Sequence, residues 1–417
     1  MVYDIAIIGG GPAGLVAGME SASKGAKAII IEKRKNIEKI TRCCCMHLIL
    51  DEGYMGESVR YENDSFIFPK NGFSVPYKGI IKPVYDKFYV SPSGYKLRFR
   101  YPEKDKPIVL KFDKGALLKG LWKECEKVGV EMRNETVAYA AEDKGNEVEI
   151  KTVSRKRKDS IRSKKIIIAD GVNSIIAESL GMNTERQFLT TAYSMIYEME
   201  GVKKYVEASW IGHFGRKYFS NAPVFMGIGL RDGITEVVCD ARCLNDFLTK
   251  SPLAYLFENA MIEKKTGCSI KVRTPMKKPF KGNAIAAGDS AAYVEVETQG
   301  AMMCGYKAAK AVLEELDGKN GFDEYKRWWL KEFEFNSDKF FRVAQGYALI
   351  PTYTDDEIDY LFSLVQDRVF PGTFSQYKTP ELIWSAFLEY KDKIREERPE
   401  LFEKIKNLDK MSLKDSF

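Results

Sequence analysis

The chain contains 417 residues, of which 45% are hydrophobic and 30% are charged, and its formal net charge is +6. This balance predicts a globular protein with enough chain for two or three domains. The positive charge is not arranged as a basic stripe interleaved with aromatic residues, so we expect no nucleic-acid partner.

No apolar run reaches the roughly 18 residues that a transmembrane helix needs. The N-terminus enters an apolar strand at once, without a signal-like leader. We therefore expect a cytoplasmic protein, with peripheral membrane contact as the alternative. The eight cysteines are irregularly placed and three are adjacent, which predicts neither a disulfide framework nor a zinc site.

The first 32 residues predict a dinucleotide-binding unit. A β-branched apolar run at 4–8 is typical of a buried strand, and the next six residues, 9–14, fit G-x-G-x-x-G. A helix is expected over 15–23, and a second strand over 27–32 ends at Glu32. The order strand, glycine turn, helix, strand and acid is that of the βαβ fold that binds NAD or FAD.

Each glycine of the motif, and the acid that ends the second strand, has a physical role in binding a dinucleotide. Gly9 permits the tight turn, Gly11 leaves room for a pyrophosphate, and Gly14 lets the helix pack on the strand. The helix N–H groups that follow would face the phosphates. Glu32 can accept hydrogen bonds from a ribose 2′-OH, which disfavours NADP.

Three adjacent cysteines follow the second strand, between Arg42 and Met46. They can be small buried side chains, or one of them can be a thiol beside a redox cofactor, with its pKa lowered by Arg42 or His47. An iron–sulfur cluster is disfavoured, because three consecutive residues cannot easily all reach one cluster.

The middle of the chain predicts an antiparallel insertion and a return to the parallel sheet. Turn signals and aromatic residues at 54–101 indicate short antiparallel strands, and a helix is expected over 116–128. The basic segment 154–159 is interpreted as the solvated tip of a hairpin. A buried strand then ends at Asp170 and Gly171, with a helix opening at Ser174.

Residues 186–271 predict a second antiparallel sheet, with strands near 192–200 and 224–230. Its aromatic residues can line a substrate pocket or form a core, and the sequence leaves both open. They are Trp210, His213, Phe214, Tyr218 and Phe219.

A third motif, Gly288-Asp289, follows a short apolar strand, and Asp289 can accept a hydrogen bond from a ribityl hydroxyl. A helix is expected from about 301 to 316, and Gly300 and Ala301 are small enough for a ring system to lie against its N-terminus. Helices rich in aromatic residues follow, including 355–370 and 380–406. These helices can dock on a membrane, cap an apolar tunnel or simply pack on the main domain.

Together the three motifs resemble flavoproteins built like p-hydroxybenzoate hydroxylase, over residues 1–315. Glu32-Lys33-Arg34 followed by Arg42-Cys43 more narrowly resembles the geranylgeranyl reductase family of archaeal-type lipid biosynthesis. The resemblance implies an α/β fold: a Rossmann-type FAD-binding domain, an antiparallel-sheet substrate domain and a helical C-terminal region. The implied boundaries are 1–60, 110–185 and 272–316 for the FAD-binding domain, 61–109 and 186–271 for the substrate domain, and 317–417 for the helical region.

The same resemblance implies that FAD is the cofactor and that its reduced form transfers hydride to a C=C bond of a prenyl lipid. The residues expected to bind FAD are Gly9, Gly11, Pro12, Ala13, Gly14, Glu32, Lys33, Arg34, Arg42, Cys43, Val137, Asp170, Gly171, Gly288, Asp289, Gly300 and Ala301. The candidate proton donors are Cys43, Cys44, Cys45 and His47.

A second G-x-G-x-x-G unit is missing from the sequence, so the electron donor is expected to be a ferredoxin-like protein or transiently bound NAD(P)H. Three other functions remain open on the sequence. They are a flavin monooxygenase of the same fold, a thiol- or quinone-linked electron-transfer flavoprotein, and a non-enzymatic redox sensor.

Overall fold

The computed structural model describes residues 1–203, 209–217, 223–337 and 349–407. Tyr218 and Phe219, which the sequence singled out, lie outside these ranges. The described part confirms the α/β prediction, with a parallel-centred sheet, a second antiparallel sheet and a helical C-terminal region. The domain boundaries given above stay a prediction.

The first sheet is built around Val2–Ile8, which lies between two parallel neighbours. The apolar side chains from Ile5 to Ile8 are buried, as the β-branched run predicted. Six strands follow one another in the order Glu131–Arg133, Ala28–Ile31, Val2–Ile8, Arg157–Ile168, Val148–Ser154 and Thr136–Asp143. Two more are attached beside Arg157–Ile168, namely Ala284–Ala286 and Phe280–Lys281.

The register of these strands brings the three sequence motifs together. Ile8 is paired with Ile31 on one side and with Ile168 on the other, and Ile168 is paired with Ala286. The residues that follow each strand therefore meet at one edge of the sheet, the carboxyl edge where doubly wound folds bind their ligands.

Helices pack against this sheet. Asp113 caps the helix Lys114–Lys127 by accepting hydrogen bonds from the N–H groups of Gly115 and Ala116. Gly305 lets Glu297–Leu316 touch Pro12–Ser23, because a Cβ at this position would overlap the backbone of Ala13. The helices in this layer are Pro12–Ser23, Lys114–Lys127, Ile175–Ser179, Glu297–Leu316 and Gly321–Glu332.

The second sheet is largely antiparallel, as predicted, and longer than the sequence indicated; Ser209–His213 and Asp86–Val90 pair in parallel, as do Val369–Pro371 and Lys96–Arg100. Its order is Met261–Arg273, Phe188–Glu200, Thr235–Cys239, Val224–Ile228, Ser209–His213, Asp86–Val90, Lys96–Arg100 and Val369–Pro371. The outer face carries Tyr197, Met199 and Val237, which pack against Phe247 of the helix Leu244–Lys250. The inner face carries Ile196, Trp210 and Val238 and lines a cavity, so Trp210 is a pocket residue.

Two small antiparallel sheets join the layers. One contains His47–Ile49, Val109–Phe112 and Ile81–Val84, and the other contains Arg60–Glu62, Ser65–Phe68 and Phe73–Pro76. Short 3-10 turns complete the connections at Tyr54–Gly56, Ala254–Leu256, Gly288–Ser290 and Glu334–Asn336.

The C-terminal region differs from its prediction in two places. The helix expected over 355–370 ends at Ser363, and Val369–Pro371 instead extends the second sheet, with Phe370 stacked on Phe99. The helix expected over 380–406 is three helices, and the last begins at Pro399, which cannot continue the preceding one. The described helices are Leu349–Thr352, Asp355–Ser363, Lys378–Leu388, Lys391–Glu397 and Pro399–Lys406.

Several of the described aromatic residues of this region are packed in a core. Phe362 and Phe387 are fully buried against Tyr89 and Phe214 of the second sheet. Trp329 and Phe333 are buried in the main core. In the described ranges, no helix is both long and apolar enough to cross a bilayer.

His213 gives the fold a pH dependence that can be measured. It is buried beside Phe247, and burial, aided by Lys96, lowers its pKa to about 3. The unfolded chain binds a proton near pH 6.5, whereas the folded chain does not, so the free energy of unfolding falls as the pH drops below 6.5. We expect a loss of about 1.4 kcal/mol per pH unit from this residue, down to its folded pKa.

Urea unfolding of the wild type and of His213→Gln between pH 7 and about pH 4.5 isolates this contribution, because the two proteins have all other titratable groups in common. The wild type is expected to lose about 2.7 kcal/mol more than the variant over that interval. Equal slopes would show that His213 is protonated in the folded protein.

Candidate functional site

A cavity of about 610 Å³ opens where the parallel strands end. It is lined by residues from the three cofactor motifs and from the cysteine segment. The predicted cofactor residues on its wall are Gly9, Gly11, Pro12, Ala13, Glu32, Lys33, Arg34, Arg42, Cys43, Val137, Asp170, Gly171, Gly288, Asp289 and Ala301. The predicted proton donors Cys43, Cys44, Cys45 and His47 lie on the same wall.

Two predicted cofactor residues lie outside this lining. Gly14 packs against the carbonyl of Gly9, in agreement with its predicted role in helix–strand packing. Gly300 lies in the first turn of a helix that begins at Glu297, four residues earlier than expected, and its Cα faces Met55 and Phe333. Gly300 therefore does not offer the surface for a ring that the sequence assigned to it, and Ala301 alone faces the cavity.

The glycine turn after Val2–Ile8 leaves an open backbone cradle. Gly9 has a φ of +106°, and a Cβ there would overlap the carbonyl of Ala169. Gly11 precedes the helix Pro12–Ser23 and has no atom within 4 Å of the place where its Cβ would stand. The helix N-terminus is therefore uncovered, and its N–H groups can bind an anion.

Glu32 is held in place at the end of the neighbouring strand. It is only 3% exposed, and its carboxylate accepts hydrogen bonds from Gly10 N (2.6 Å), Arg34 N (2.7 Å) and Arg34 Nε (2.8 Å). Burial acts to raise the pKa of Glu32, but Arg34 and the Gly10 N–H outweigh it and lower the pKa. The carboxylate is thus ionised and aimed at the cradle at neutral pH.

Two aspartates mark the opposite wall. Asp170 has one carboxylate oxygen, Oδ1, that is buried and has no hydrogen-bond partner among the described residues. Asp289 accepts a hydrogen bond from Val296 N (3.0 Å), and burial raises the pKa of both aspartates. A buried carboxylate oxygen without a partner is costly unless a ligand donates to it, so Asp170 points to a hydroxyl-bearing occupant.

The cysteine loop forms the wall between the cradle and the second sheet. Cys43 is joined by a disulfide to Cys268, on the strand Met261–Arg273. Cys44 Sγ lies 3.4 Å from Lys114 Nζ, and the carbonyl of Cys45 accepts a hydrogen bond from Lys111 Nζ (3.0 Å). The sequence predicted no disulfide, because Cys268 is 225 residues away and reaches the loop only through the sheet.

These contacts narrow the set of proton donors. Cys43 has no thiol proton while it is bonded to Cys268. Burial, with Lys111 nearby, holds the pKa of His47 well below its usual value, so the imidazole is neutral at pH 7. Burial and Glu236 raise the pKa of the Cys45 thiol, which therefore keeps its proton. Cys44, beside an ammonium group, is the remaining candidate from the sequence.

Charged residues that the sequence analysis missed surround Cys44. Burial alone would lower the pKa of Lys114, but Cys44, Asp289 and Glu295 outweigh it and raise the pKa. Burial and the Asp289 carboxylate raise the pKa of Glu295 to about 7. Burial and Glu295 raise that of Glu297 further. The only local signal was the closely spaced pair of acids just before a helix, which is also common on solvated surfaces.

The second half of the cavity is apolar, and its walls carry Ile196, Val238 and Ile270 together with the rings of Trp210 and Phe374. The ring of His47 contacts both aromatic rings edge to face, at centroid distances of 4.7 and 4.9 Å. Phe374 is fixed by its backbone N–H, which donates to Asp51 (2.8 Å). The cavity therefore joins a polar cradle to an apolar chamber lined by aromatic and branched side chains.

Residues 3–195 match the pyridine nucleotide-disulphide oxidoreductase family. The chain is 28% identical over 353 residues to the digeranylgeranylglycerophospholipid reductase of Methanococcus vannielii, covering 80% of this chain and 84% of that protein. It is 26% identical over 381 residues to the reductase of the same name from Methanocaldococcus jannaschii, covering 86% and 90%.

Among solved structures, the fold is similar to a geranylgeranyl bacteriochlorophyll reductase-like protein of Thermoplasma acidophilum. The TM-score is 0.71 at 17% identity, and the match covers 98% of this chain and 99% of that one. The chain is an FAD-dependent oxidoreductase that is similar to these reductases. The fold is also similar to a p-nitrophenol 4-monooxygenase from Pseudomonas putida, with a TM-score of 0.63 at 14% identity, covering 94% of this chain and 98% of that one.

The residues of this flavoprotein fit its cofactor. The open backbone at Gly11 suits a pyrophosphate, the ionised Glu32 suits a ribose, and the unpartnered oxygen of Asp170 suits a hydroxyl-rich ligand. Each of these features lies at the carboxyl edge of the sheet, as a dinucleotide spanning the edge requires.

Proposed function

We propose that this flavoprotein reduces C=C bonds in the isoprenoid chains of a digeranylgeranylglycerophospholipid-type lipid. The proposal rests on one observation: the dinucleotide cradle and an apolar chamber lined by Ile196, Trp210 and Phe374 form one continuous cavity. An isoprenoid chain is branched and apolar, so it suits such walls. The names of the archaeal relatives support the same substrate class.

In this proposal the two ends of the cavity have separate roles. Glu32 holds the adenosine ribose, and the N-terminus of Pro12–Ser23 holds the pyrophosphate. Asp289 holds the ribityl chain, and Ala301 leaves space for the ring at the start of its helix. The lipid chain then lies between this ring and Trp210, and its headgroup stays near the membrane surface from which the lipid comes.

FAD, when bound, supplies the hydride. The protein positions the substrate, excludes water from the site and supplies a proton. An isolated C=C bond accepts a hydride only if a proton arrives at the other carbon. We assign that proton to Cys44 Sγ, because Lys114 Nζ lies 3.4 Å away and can restore it after each turnover. Glu295, whose pKa is about 7, is the next proton reservoir along the wall.

An anaerobic assay tests the proposed function directly. The holoenzyme is reduced with dithionite, the excess is removed, and a digeranylgeranyl glycerophospholipid is added. We expect the oxidised flavin spectrum to return and the lipid to gain hydrogen, detected by mass spectrometry, whereas the fully saturated lipid has no effect. If no prenyl lipid reoxidises the flavin, the substrate assignment is wrong. A lipid that instead gains oxygen in air would identify a monooxygenase.

A variant in the chamber adds a specificity test. Ile196→Trp fills the apolar half of the cavity, so we expect lipid-dependent reoxidation to slow by at least about tenfold, a typical size for a changed apolar pocket contact. FAD content and reoxidation by oxygen should not change. Tyr193→Trp is the matched control, since Tyr193 lies on the same strand, on the opposite face, and is 65% exposed. Equal rates in both variants would place the lipid elsewhere.

A further inference from the structure

Arg186 lies where the chain passes from the first sheet to the second, and the function proposed above gives it no role. Its Nε donates to the carbonyl of Thr274 (2.7 Å), on the segment by which the chain returns from the second sheet. The two crossing segments are also paired directly: Thr274 N donates to the carbonyl of Gln187 (3.0 Å), and Gln187 N donates to Thr274 Oγ1 (2.9 Å). Arg186 therefore belongs to the junction between the two sheets.

The rest of the guanidinium group holds the turn that carries Asp289. Nη1 donates to the carbonyl of Ser290 (3.1 Å) and to Asn183 Oδ1 (3.0 Å), and Nη2 donates to the carbonyl of Ala292. Two of the three carbonyls that follow Asp289 are therefore bound to one side chain, which reaches them from the junction.

The contacts of Arg186 fix main-chain atoms. Its four hydrogen bonds all go to uncharged oxygen atoms, and three of these are backbone carbonyls. Burial and the nearby Arg273 lower the pKa of Arg186 to about 10, so the group stays charged at neutral pH. Hydrogen bonds from a charged donor are stronger than those from a neutral one, and the planar fork fixes their direction as well. The turn is thus held in one conformation.

Asp289 is the cavity residue whose place depends on this turn. Its Oδ1 accepts from Val296 N (3.0 Å), and its side chain lines the cavity. The next residue, Ser290, donates its hydroxyl to the carbonyl of Ile168 (2.8 Å), at the end of a central strand of the first sheet. The turn is therefore held by the first sheet through Ser290 Oγ and by the junction through Arg186.

We propose that Arg186 is a positioning residue for the cofactor: its guanidinium group fixes the turn at 288–292 so that Asp289 can accept a hydrogen bond from the ribityl chain of FAD. The inference rests on the cofactor part of the proposed function, in which Asp289 holds the ribityl chain, and not on the lipid substrate. The strand Phe188–Glu200 begins two residues after Arg186. The same contacts therefore tie the cofactor turn to the sheet that lines the apolar chamber.

A double-mutant cycle on FAD affinity, measured by titrating the apoprotein and following flavin fluorescence, tests the proposal. We expect Arg186→Met and Asp289→Ala each to raise the Kd for FAD by about tenfold, which is within the range for groups that act together. The double variant Arg186→Met/Asp289→Ala should bind FAD no more weakly than Asp289→Ala, because Arg186 acts through Asp289. A residue that only stabilised the fold would give losses that multiply.

Two further variants separate positioning from folding. Arg273→Met removes a second arginine of the junction, but Arg273 reaches the segment after Asp289 through its backbone N–H, which donates to the carbonyl of Tyr293 (3.4 Å). Its FAD affinity should equal that of the wild type. Arg186→Lys keeps the positive charge without the planar fork, so we expect it to fold and to bind FAD about fivefold more weakly. If Arg186→Met does not fold, Arg186→Lys replaces it in the cycle.

The outcomes distinguish this proposal from the function on which it rests. Losses that multiply in the cycle, or an Arg186→Lys variant that binds FAD as tightly as the wild type, would overturn the role of Arg186 alone. Unchanged FAD affinity in Asp289→Ala would overturn the role of Asp289 as well. Lipid-dependent reoxidation of the flavin enters neither measurement.

Discussion

Replacing Gly11 with glutamate is expected to remove FAD while leaving the fold intact. No atom lies within 4 Å of the place where a Cβ of Gly11 would stand, so the folded chain has room for the new side chain. That room is where the pyrophosphate approaches the N-terminus of Pro12–Ser23. The new carboxylate would occupy the anion site and repel the phosphates.

We expect FAD affinity to fall at least about 100-fold in Gly11→Glu, which corresponds to about 2.7 kcal/mol. Titration of the apoprotein with FAD, followed by flavin fluorescence, measures the affinity, and thermal unfolding of the apoprotein checks the fold. A variant that binds FAD as tightly as the wild type would show that the pyrophosphate does not lie at this turn.

Two other glycines serve as controls for this experiment. Gly9→Ala should destabilise the apoprotein itself, because Gly9 has a φ of +106° and its Cβ would overlap the carbonyl of Ala169. Gly120→Ala, within the helix Lys114–Lys127, should leave FAD binding unchanged and slightly stabilise the fold. The contrast separates loss of the ligand from loss of the structure.

The cofactor end of the site could be predicted because its signals are local. A strand of β-branched residues, a glycine turn and a terminal acid each depend on neighbours in the sequence, and the parallel register then brings Gly9, Asp170 and Gly288 to one edge. That these residues share one ligand is what the resemblance to p-hydroxybenzoate hydroxylase-like flavoproteins implies, and the register places them close enough to do so.

The rest of the site depends on contacts that the sequence does not show. Cys268 meets Cys43 only because a long strand returns along the edge of the second sheet. Phe374 lies beyond the region that resembled known flavoproteins, yet its ring completes the apolar chamber. Lys114 looked like an ordinary residue of a first helical turn, and its contact with Cys44 follows from packing of that helix beneath the loop.

The predicted ends of the C-terminal helices were wrong for a different reason. Apolar periodicity continues through 380–406, so the pattern predicts one helix, although Pro399 interrupts it. Around 364–371 the strand forms because Lys96–Arg100 offers a free edge, and the stacking of Phe370 on Phe99 favours that pairing over another helical turn. Such competition between local and tertiary preferences is decided only in the folded chain.

The largest effect on stability is expected at Lys111. Its ammonium group is 0% exposed and lies 2.6 Å from Glu236 Oε2, and Glu236 is 1% exposed. The same group donates to the carbonyl of Cys45, so it joins the small sheet, the cysteine loop and the second sheet. Lys111→Met leaves the Glu236 carboxylate buried without its cation, which is expected to lower the free energy of unfolding by about 3–5 kcal/mol.

The double variant Lys111→Met/Glu236→Leu should recover most of this loss, because both buried charges are then replaced by apolar groups of similar size.

The pH dependence of the stability of Lys111→Met gives a second check. Burial already raises the pKa of Glu236, and it rises further without Lys111. A carboxyl with a raised folded pKa loses stability as the pH rises through that pKa, so the defect of Lys111→Met should be largest at neutral pH and shrink toward pH 4.5. Urea unfolding at both pH values measures it. A defect that is the same at both, or a double variant as unstable as the single one, would show that Lys111 and Glu236 do not act as a buried ion pair.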